Sequence, residues 1–243
     1  MKNQIFLSVI IPTLNSENYI SKTISKIVNE LEKIGYTYEL IIINDGSTDA
    51  TKIKISELKK KYENIRSFEF IKNYGQHAAI LCGIRKAKGK YLINMDDDLQ
   101  NPPQEIYKLI NKIEEGYDLV FANFKKKNHN VIKNIGSKFV NSISKYIFKK
   151  PSHIKISNFR IFTDEVSNKF KNMNIKSPYI AGYLLLYSNK ISQIETNHDK
   201  SISAKSSYNL RKTLSLLSNI IFNHSVIPIS LISITINNYS ISK

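Results

Sequence analysis

The sequence predicts an α/β fold in which a mostly parallel central sheet is covered by helices on both faces. Short apolar runs that suit buried strands alternate with segments whose apolar residues recur at helical spacing. That order is typical of parallel strands joined by crossing helices. The length of 243 residues is enough for one domain with a sizeable core, and the apolar content of 42% is ordinary for a globular protein.

Strands and helices are predicted in strict alternation through the first half of the chain. Gly35 is expected to end the first helix, Pro12 to close the first strand, and residues 45–49 to form a turn with a helix N-cap. The predicted strands are residues 7–11, 40–43, 68–71, 91–95 and 119–122, and the predicted helices are residues 20–34, 53–62, 76–87 and 103–115.

Polar clusters follow three of these strands, at residues 12–15, 44–47 and 96–100. In such sheets ligands bind at the carboxyl ends of the strands, so the clusters are expected to share one site. The last cluster holds three adjacent carboxylates, which repel one another and suit Mg²⁺ or Mn²⁺ bound together with substrate phosphates. Taken alone, three adjacent acids would more often form a solvated turn. Together, the clusters predict a site for a nucleotide with a bound metal.

Two common nucleotide-binding motifs are missing from the sequence, and their absence argues against the protein classes that use them. No Gly-x-Gly-x-x-Gly follows the first strand, which argues against a Rossmann dehydrogenase. A Gly-Lys-Ser/Thr loop is also missing, which argues against a P-loop ATPase. The single cysteine, Cys82, excludes an intramolecular disulfide and fits a reducing compartment.

The net charge of +16 is concentrated in the second half, where residues 125–150 contain eight lysines and no acid. This excess indicates a phosphate-rich substrate or an anionic membrane, although biased codon usage explains part of it. Nucleic acid is not expected, because the aromatic residues are not interleaved with the basic ones as a stacking platform requires. We expect neither a signal peptide nor a membrane span, since no stretch reaches about 18 uninterrupted apolar residues.

Four motifs, in order, resemble those of family 2 glycosyltransferases. More narrowly, they are similar to the polyprenyl-phosphate glycosyltransferases, such as dolichol-phosphate mannose synthase and the bacterial undecaprenyl-phosphate sugar transferases. The resemblance implies a GT-A-like fold that binds a nucleoside-diphosphate sugar and Mg²⁺ or Mn²⁺. The motifs are Ser-Val-Ile-Ile-Pro-Thr-Leu-Asn at 8–15, Ile-Asn-Asp-Gly-Ser-Thr-Asp at 43–49, Asn-Tyr-Gly-Gln-His-Ala-Ala-Ile at 73–80 and Met-Asp-Asp-Asp-Leu-Gln-Asn-Pro-Pro at 95–103.

The same resemblance implies a nucleotide-binding role for the first two clusters. Asp45 would contact the base or ribose, and Asn44 stands where many relatives carry a second Asp. Gly75 would allow close approach of the backbone, whereas His77 either contacts ligand or packs at a helix start. The loop beside the nucleotide would be formed by Pro12, Thr13 and Asn15.

The acidic motif would hold the metal and act in catalysis. Asp96, Asp98 and Gln100 are expected to face the ion, because alternate residues of an extended segment share a side. Asp97 would face away, toward a helix N-terminus or the sugar. Arg160, in Asn-Phe-Arg at 158–160, is the third catalytic candidate, since a guanidinium binds phosphate oxygens as a fork; a structural salt bridge is the alternative.

The rest of the second half resembles the family less closely. Residues 125–150 are predicted to form an amphipathic basic helix, lying on a membrane surface or packed on the sheet. Residues 198–208 are similar to the family's cation-supplying loop, but Ser201, Ala204 and Ser207 replace its Arg, Gly and Lys. The substrate-binding candidates there are Lys200, Lys205, Ser206 and Tyr208.

The predicted organisation is a GT-A domain over residues 1–207, with a nucleotide and metal half at 1–124 and a basic acceptor half at 125–207. Residues 208–243 are predicted to be an amphipathic, membrane-proximal segment, truncated relative to the family. The protein is expected to be cytoplasmic and peripheral on the inner face of the cytoplasmic membrane, and a homo-oligomer is left open.

The predicted function is metal-dependent, inverting sugar transfer from a nucleotide sugar to polyprenyl phosphate in cell-surface glycan synthesis. An acceptor phosphate is ionised at pH 7 and needs no general base, whereas a sugar hydroxyl needs one. The later acids stand in no recognisable motif, which favours phosphate. Transfer to a hydroxyl in surface polysaccharide assembly and a catalytically impaired binding subunit are the alternatives. The acids in question are Asp164, Glu165, Glu195 and Asp199.

Overall fold

The structure, a computed structural model, describes residues 5–124, 147–148, 150–176 and 178–196. The chain divides into two compact units, one formed by residues 1–127 with 153–204 and the other by residues 128–152 with 205–243. All the strands and helices discussed below belong to the first unit. The predicted basic helix of residues 125–150 lies almost entirely outside the described residues.

A seven-stranded sheet forms the centre of the first unit, with the strand order β3-β2-β1-β4-β6-β5-β7. All neighbouring strands run parallel except β6, which is antiparallel to both β4 and β5, so the predicted mostly parallel sheet is confirmed. The strands are β1 (Leu7–Thr13), β2 (Tyr38–Asn44), β3 (Ile65–Glu69), β4 (Tyr91–Asn94), β5 (Leu119–Phe124), β6 (Arg160–Thr163) and β7 (Ile191–Thr196).

Helices cover both faces of this sheet. Ile20, Ile24 and Ile27 of the first helix join a core with alternate β1 and β2 residues, whereas Ile41 packs on the other face. There the third helix approaches β1 so closely that a Cβ on Gly83 would lie 2.3 Å from Ile10 Cγ2. The helices are α1 (Ile20–Ile34), α2 (Thr51–Lys61), α3 (Gln76–Lys86), α4 (Ile106–Glu114), preceded by a 3₁₀ turn at Pro103–Glu105, α5 (Asp164–Asn168) and α6 (Ile180–Tyr187).

The first strand is longer than predicted, because Pro12 and Thr13 lie inside β1 rather than in the loop after it. Proline interrupts a ladder only where its missing N–H would have donated. The Thr13 carbonyl accepts from Asp45 N on the β2 side, so the adjacent Pro12 is oriented toward β4. Pairing with β4 ends at Ile10, and Pro12 therefore removes no hydrogen bond from the sheet.

The third strand, predicted at residues 68–71, is present, but its predicted bounds were wrong because β3 is Ile65–Glu69. The run of Phe68, Phe70 and Ile71 suggested a later strand, but Glu69 already pairs with Asn44, the last residue of β2. The chain beyond Phe70 leaves the sheet, and Ile71 is 92% exposed. This early departure leads the chain toward the carboxyl end of β2.

Candidate functional site

Asp45, just after β2, organises the loop between β3 and α3. Its carboxylate accepts hydrogen bonds from Tyr74 N at 2.7 Å and Gly75 N at 2.9 Å. Burial raises the pKa of Asp45, although these two N–H groups act to lower it. Gly75 has φ +93°, a conformation that L side chains rarely adopt. Both carboxylate oxygens thus already accept a backbone hydrogen bond, and a bound nucleotide would contact a carboxylate that is held in place.

The turn after β2 is held by two asparagine side chains. Asn44, 2% exposed, accepts from Ser47 N at 3.0 Å and from the Ser47 hydroxyl at 2.5 Å. The exposed Asn15 receives Thr48 N on its Oδ1 at 2.9 Å, while its own N donates to Ser47 Oγ at 3.0 Å. Asn44 therefore shapes the turn, and Asn15 ties it to the end of β1.

Two more residues of these loops are placed tightly. Thr13 is 2% exposed, and its Oγ1 is buried without a hydrogen-bond partner. Gly46, with φ +71°, sits so close to the following loop that a Cβ would lie 2.4 Å from the Lys72 carbonyl carbon. The loops after β1, β2 and β3 consequently pack directly against one another at one edge of the sheet.

The three acids after β4 do not share one orientation. Asp97 accepts a hydrogen bond from Ser16 Oγ in the loop before α1, and its carbonyl accepts from Thr23 Oγ1 at 2.7 Å. It thus points toward the N-terminal end of α1, one of the two directions expected for it. Asp98 instead accepts from Gln100 N at 3.0 Å, which closes a local turn.

Asp96 is oriented by the N-terminal end of α3. Its Oδ1 accepts from Gln76 Nε2 at 2.7 Å, and Gln76 Oε1 in turn lies 3.5 Å from Asn158 Nδ2. This network joins β4, α3 and the segment before β6 around one carboxylate. The motif Asn-Tyr-Gly-Gln-His therefore contributes Gln76 to the site, a residue that the sequence analysis did not single out.

The ionised forms of Asp96 and Asp97 are disfavoured in this cluster, and the pKa values of both are raised. The pKa of Asp97 is raised to about 7, mainly by burial and also by the charges of Asp96 and Asp98, while the hydrogen bond from Ser16 acts to lower it. Burial likewise raises the pKa of Asp96, with the Asp98 charge acting in the same direction and Arg160 opposing it. A cation among these groups would relieve both effects.

Within the described ranges, no group of three or more His, Cys, Asp or Glu side chains is arranged to hold a metal ion. Mg²⁺ and Mn²⁺ do not need such a group, because they bind through one or two carboxylates and complete their coordination with phosphates and water. Asp96 and Asp98, whose charges act on each other, meet that requirement. The residues present fit a divalent ion bound together with a diphosphate.

The acidic loop also contains a strained residue. Leu99 has φ +61° and is 3% exposed. A side chain in the left-handed region costs roughly 1 kcal/mol, and such strain persists only where surrounding structure enforces it. The burial of Leu99 supplies that enforcement, so the loop holds Asp98 and Gln100 on either side of a fixed turn.

Arg160 begins β6, opposite Asn94 of β4, and is 0% exposed. Its Nη1 donates to the Ser157 carbonyl at 3.3 Å, but Nε and Nη2 are buried without hydrogen-bond partners. Burial lowers the pKa of Arg160 to about 10, so it remains charged at neutral pH, with Tyr179 and Asp96 opposing the shift. Among the described residues, no carboxylate forms a salt bridge with this guanidinium, so the structure gives no support to the alternative of a structural salt bridge.

His77, the second residue of α3, lies close to Arg160. Its ring contacts Tyr179 edge-on with centroids 5.5 Å apart, and its Nδ1 is buried without a hydrogen-bond partner. Burial, together with the positive charge of Arg160, lowers the pKa of His77 to about 4, so the imidazole is neutral at pH 7. Packing at a helix start and availability to a ligand are thus both features of this residue.

Four sequence-based assignments cannot be placed. Lys200, Lys205, Ser206 and Tyr208 lie outside the described residues, as do the altered loop positions Ser201, Ala204 and Ser207. The site that the structure brings together therefore consists of the loops after β1, β2 and β4, the N-terminal end of α3 and the start of β6.

This arrangement matches a known family over most of the chain. The family model described as "Glycosyl transferase family 2" matches residues 8–186, which include every loop of the site. The chain belongs to glycosyl transferase family 2. It is accordingly a glycosyltransferase, as the four motifs predicted.

Several curated relatives of this family 2 enzyme carry the description undecaprenyl-phosphate 4-deoxy-4-formamido-L-arabinose transferase. The relative from Shewanella sediminis is 26% identical over 234 residues, covering 94% of this chain and 70% of the relative. The relative from Salmonella typhimurium is 25% identical over 242 residues, covering 97% and 74%. The resemblance to polyprenyl-phosphate sugar transferases is therefore confirmed as a similarity of sequence.

Solved structures of glycosyltransferases share the fold. Glucosyl-3-phosphoglycerate synthase from Mycobacterium tuberculosis, in complex with Mn²⁺, UDP and phosphoglyceric acid, matches with a TM-score of 0.66 and 18% identity, covering 91% of this chain and 77% of that one. S. aureus TarS 1-349, in complex with UDP-GlcNAc, matches with a TM-score of 0.56 and 20% identity, covering 90% and 67%. The predicted GT-A fold is confirmed.

In the part of the chain that the structure describes, every helix is too short or insufficiently apolar to cross a membrane.

Proposed function

We propose that this enzyme transfers a sugar from a nucleoside-diphosphate sugar to the phosphate of a polyprenyl phosphate, such as undecaprenyl phosphate, in cell-surface glycan synthesis. The observation that carries the proposal is the buried guanidinium of Arg160, whose Nε and Nη2 have no hydrogen-bond partner in the described part of the chain. A buried cation without partners is costly, and a phosphate bound by both nitrogens would compensate for that cost. The names of the curated relatives support the same acceptor.

The donor would bind across the loops after β1, β2 and β4. Asp45, Thr13 and Asn15 line the nucleotide side of this edge, and Asp96 and Asp98 the diphosphate side. A Mg²⁺ or Mn²⁺ ion held by Asp96 and Asp98, with Gln100 as a further oxygen donor, would neutralise charge on the departing diphosphate.

Transfer would proceed by direct displacement. An oxygen of the acceptor phosphate attacks the anomeric carbon, the bond from that carbon to the diphosphate breaks, and the configuration inverts. The acceptor oxygen is already ionised at neutral pH, so no protein group must remove a proton. Arg160 would orient the attacking phosphate and limit its repulsion from the diphosphate.

Two of the four later carboxylates, Asp164 and Glu165, lie too far from the site to act as the general base that a sugar acceptor would need. Asp164 follows β6 at the end where Thr163 pairs with Tyr91, which is the end of the sheet away from the ligand edge. It is also engaged by Lys171 Nζ at 3.2 Å, and the neighbouring Glu165 is exposed. Neither can reach a hydroxyl placed near Asp96, which a sugar acceptor would require.

Lipid transfer also requires the enzyme to work at a membrane surface, and we propose a peripheral position on the inner face of the cytoplasmic membrane. The eight lysines of residues 125–150 support this, at roughly 1 kcal/mol for each one close to an anionic bilayer. Flotation with anionic liposomes should be strong at low salt and weaker at high salt. Equal binding to neutral liposomes would contradict the electrostatic attachment.

The acceptor is tested by incubating the purified protein with Mn²⁺, undecaprenyl phosphate and a panel of nucleotide sugars. We expect a lipid-linked sugar with at least one donor, no product from Asp98→Ala, and normal product from Glu165→Gln as a matched control for loss of a carboxylate. Transfer to a saccharide hydroxyl, with no lipid product, would replace this proposal with the hydroxyl alternative. Donor binding without transfer to either acceptor would indicate a binding subunit.

A further inference from the structure

His77 and Arg160 both carry buried nitrogen atoms that have no hydrogen-bond partner among the residues that the structure describes. Arg160 presents Nε and Nη2, the two nitrogens along one edge of the guanidinium. That edge is the fork that binds two oxygens of a carboxylate or phosphate at once. His77 contributes Nδ1 from the start of α3, also buried and unpartnered. Buried polar groups are normally hydrogen-bonded, so both point to a ligand.

The two side chains face the same region. The charge of Arg160 acts on His77 and on Asp96, and Asp96 is bonded to Gln76, the residue next to His77. Tyr179 neighbours both groups, since the His77 ring contacts it edge-on and it interacts electrostatically with Arg160. An anion held by Arg160 would be within reach of the neighbouring imidazole.

We propose that His77 is a binding residue for the acceptor phosphate, donating a hydrogen bond from Nδ1 to an oxygen that the Arg160 fork also holds. The inference rests on the proposed function and adds to it a residue outside the acidic and arginine motifs. For Arg160, sheet order favours the acceptor over the donor, and His77 is assigned with it because the charge of Arg160 acts on the imidazole. The loops after β1 and β2 lie on one side of β4, whereas β6, which carries Arg160, lies on the other.

A neutral imidazole suits this position. Next to Arg160, a second full positive charge would be repelled, and burial would disfavour it further. A neutral ring can still donate one hydrogen bond from Nδ1, while Nε2 remains an acceptor for a hydroxyl group. The subsite would thus carry one cation and one neutral donor, matched to a phosphate that shares its surroundings with a bound metal and diphosphate.

The test uses two substitutions that separate hydrogen bonding from ring packing. His77→Phe keeps a ring against Tyr179 and removes both nitrogens, whereas His77→Asn places an amide close to the position of Nδ1. Farnesyl phosphate and inorganic phosphate serve as acceptor probes, and UDP with Mn²⁺ serves as the donor probe, all measured by calorimetry. His153→Phe, at an exposed histidine, is the matched control.

We expect His77→Phe to weaken binding of both acceptor probes by about tenfold or more, the scale of one hydrogen bond to a charged group. His77→Asn should recover most of that loss, and UDP binding should stay within about twofold of the wild type. In steady-state assays, His77→Phe should raise KM for the lipid acceptor and leave KM for the donor unchanged.

Three outcomes would overturn the inference. His77→Phe could leave phosphate binding unchanged, it could weaken UDP binding instead, or His77→Asn could behave like the Phe variant despite a native melting temperature. Failure of the proposed function is a separate result. If the wild type binds inorganic phosphate with the expected variant pattern but never glycosylates a polyprenyl phosphate, the subsite stands and the lipid acceptor is wrong.

Discussion

Replacing Asp45 by alanine should loosen the loop before α3 and weaken nucleotide binding at the same time. The carboxylate accepts from the backbone of Tyr74 and Gly75, and both bonds disappear in the variant. Nothing else in the described structure accepts from Tyr74 N, so that group must turn to water. The loop also packs on Gly46, so its release would disturb the turn that carries Asn44.

The cost in stability follows from the geometry. Losing a hydrogen bond to a charged group costs about 1.5–3 kcal/mol, but Tyr74 is 53% exposed and solvent can replace part of each bond. We therefore take about 1 kcal/mol for each N–H group. Removing a buried carboxylate, whose pKa is raised by burial, returns a part of that sum. The expected loss of unfolding free energy is about 1–2 kcal/mol.

Urea unfolding measures the global loss, and amide hydrogen exchange at Tyr74 and Gly75 reports the local one. Calorimetry with a nucleoside diphosphate should show affinity reduced by about 1–3 kcal/mol. Asp45→Asn, which keeps one acceptor oxygen, should fall between the wild type and the alanine variant in all three measurements. Unchanged exchange at both amides would refute the argument that Asp45 fixes this loop. Unchanged nucleotide affinity would limit Asp45 to a structural role.

Three further predictions address the metal site, the opposite end of the sheet and pH. Asp98→Ala should abolish Mn²⁺-dependent nucleotide binding in calorimetry, yet leave the melting temperature equal or higher, because the Asp98 charge raises the pKa of Asp96; a large fall in melting temperature would contradict this. Glu39→Ala should cost about 3 kcal/mol in urea unfolding, since it leaves Arg66 (2.6 Å) and Ser8 (2.7 Å) without their buried acceptor, but the folded variant should keep its activity. The low folded-state pKa of His77 gives stability that is lost as pH falls from about 6.5 toward 4, so unfolding curves of the wild type should lose up to about 3 kcal/mol more over that range than those of His77→Phe. Parallel pH profiles would refute this.

The sheet of the first half could be predicted because its strands are continuous apolar runs. Leu40, Ile41, Ile42 and Ile43 are buried on both faces of the sheet, which leaves no polar alternation to confuse the pattern. The bounds of the third strand were predicted wrongly for the opposite reason. Just beyond this edge strand, the apolar Ile71 is 92% exposed, so apolar character no longer shows where the strand ends.

The strand carrying Arg160 had no comparable signal. β6 pairs over only four residues and runs antiparallel between β4 and β5, which no local pattern reveals. Its position is set by pairing with chain segments far away in sequence. Arg160 could be proposed from a motif, but its burial and its unpartnered fork became apparent only when β6 was placed next to the acidic cluster.

The acidic cluster shows which features of the site can be predicted from motif spacing and which cannot. Spacing predicted that Asp97 faces away from Asp96 and Asp98, and Asp97 is bonded to Ser16 on its own. The segment is a turn rather than an extended strand, however, so alternation is not what separates these side chains. Spacing could not find Gln76, since the bond to Asp96 depends on where α3 begins relative to β4. Nor could it show that Asn44 is committed to the turn at Ser47, because a buried and an exposed amide look alike in sequence.

The hydrogen bonds around Ser16 imply that the two halves of the donor site respond to each other. Ser16 binds the Asp97 carboxylate, its N donates to Thr51 at the start of α2, and the adjacent Asn15 donates to Ser47. If a bound ion shifts the acidic loop, these hydrogen bonds therefore pass the shift on to the nucleotide loop, even when no phosphate bridges the two loops. Linkage is reciprocal, so nucleoside binding must raise affinity for the ion by the same factor by which the ion raises affinity for the nucleoside. A nucleoside lacking phosphates would isolate this coupling free energy from direct coordination.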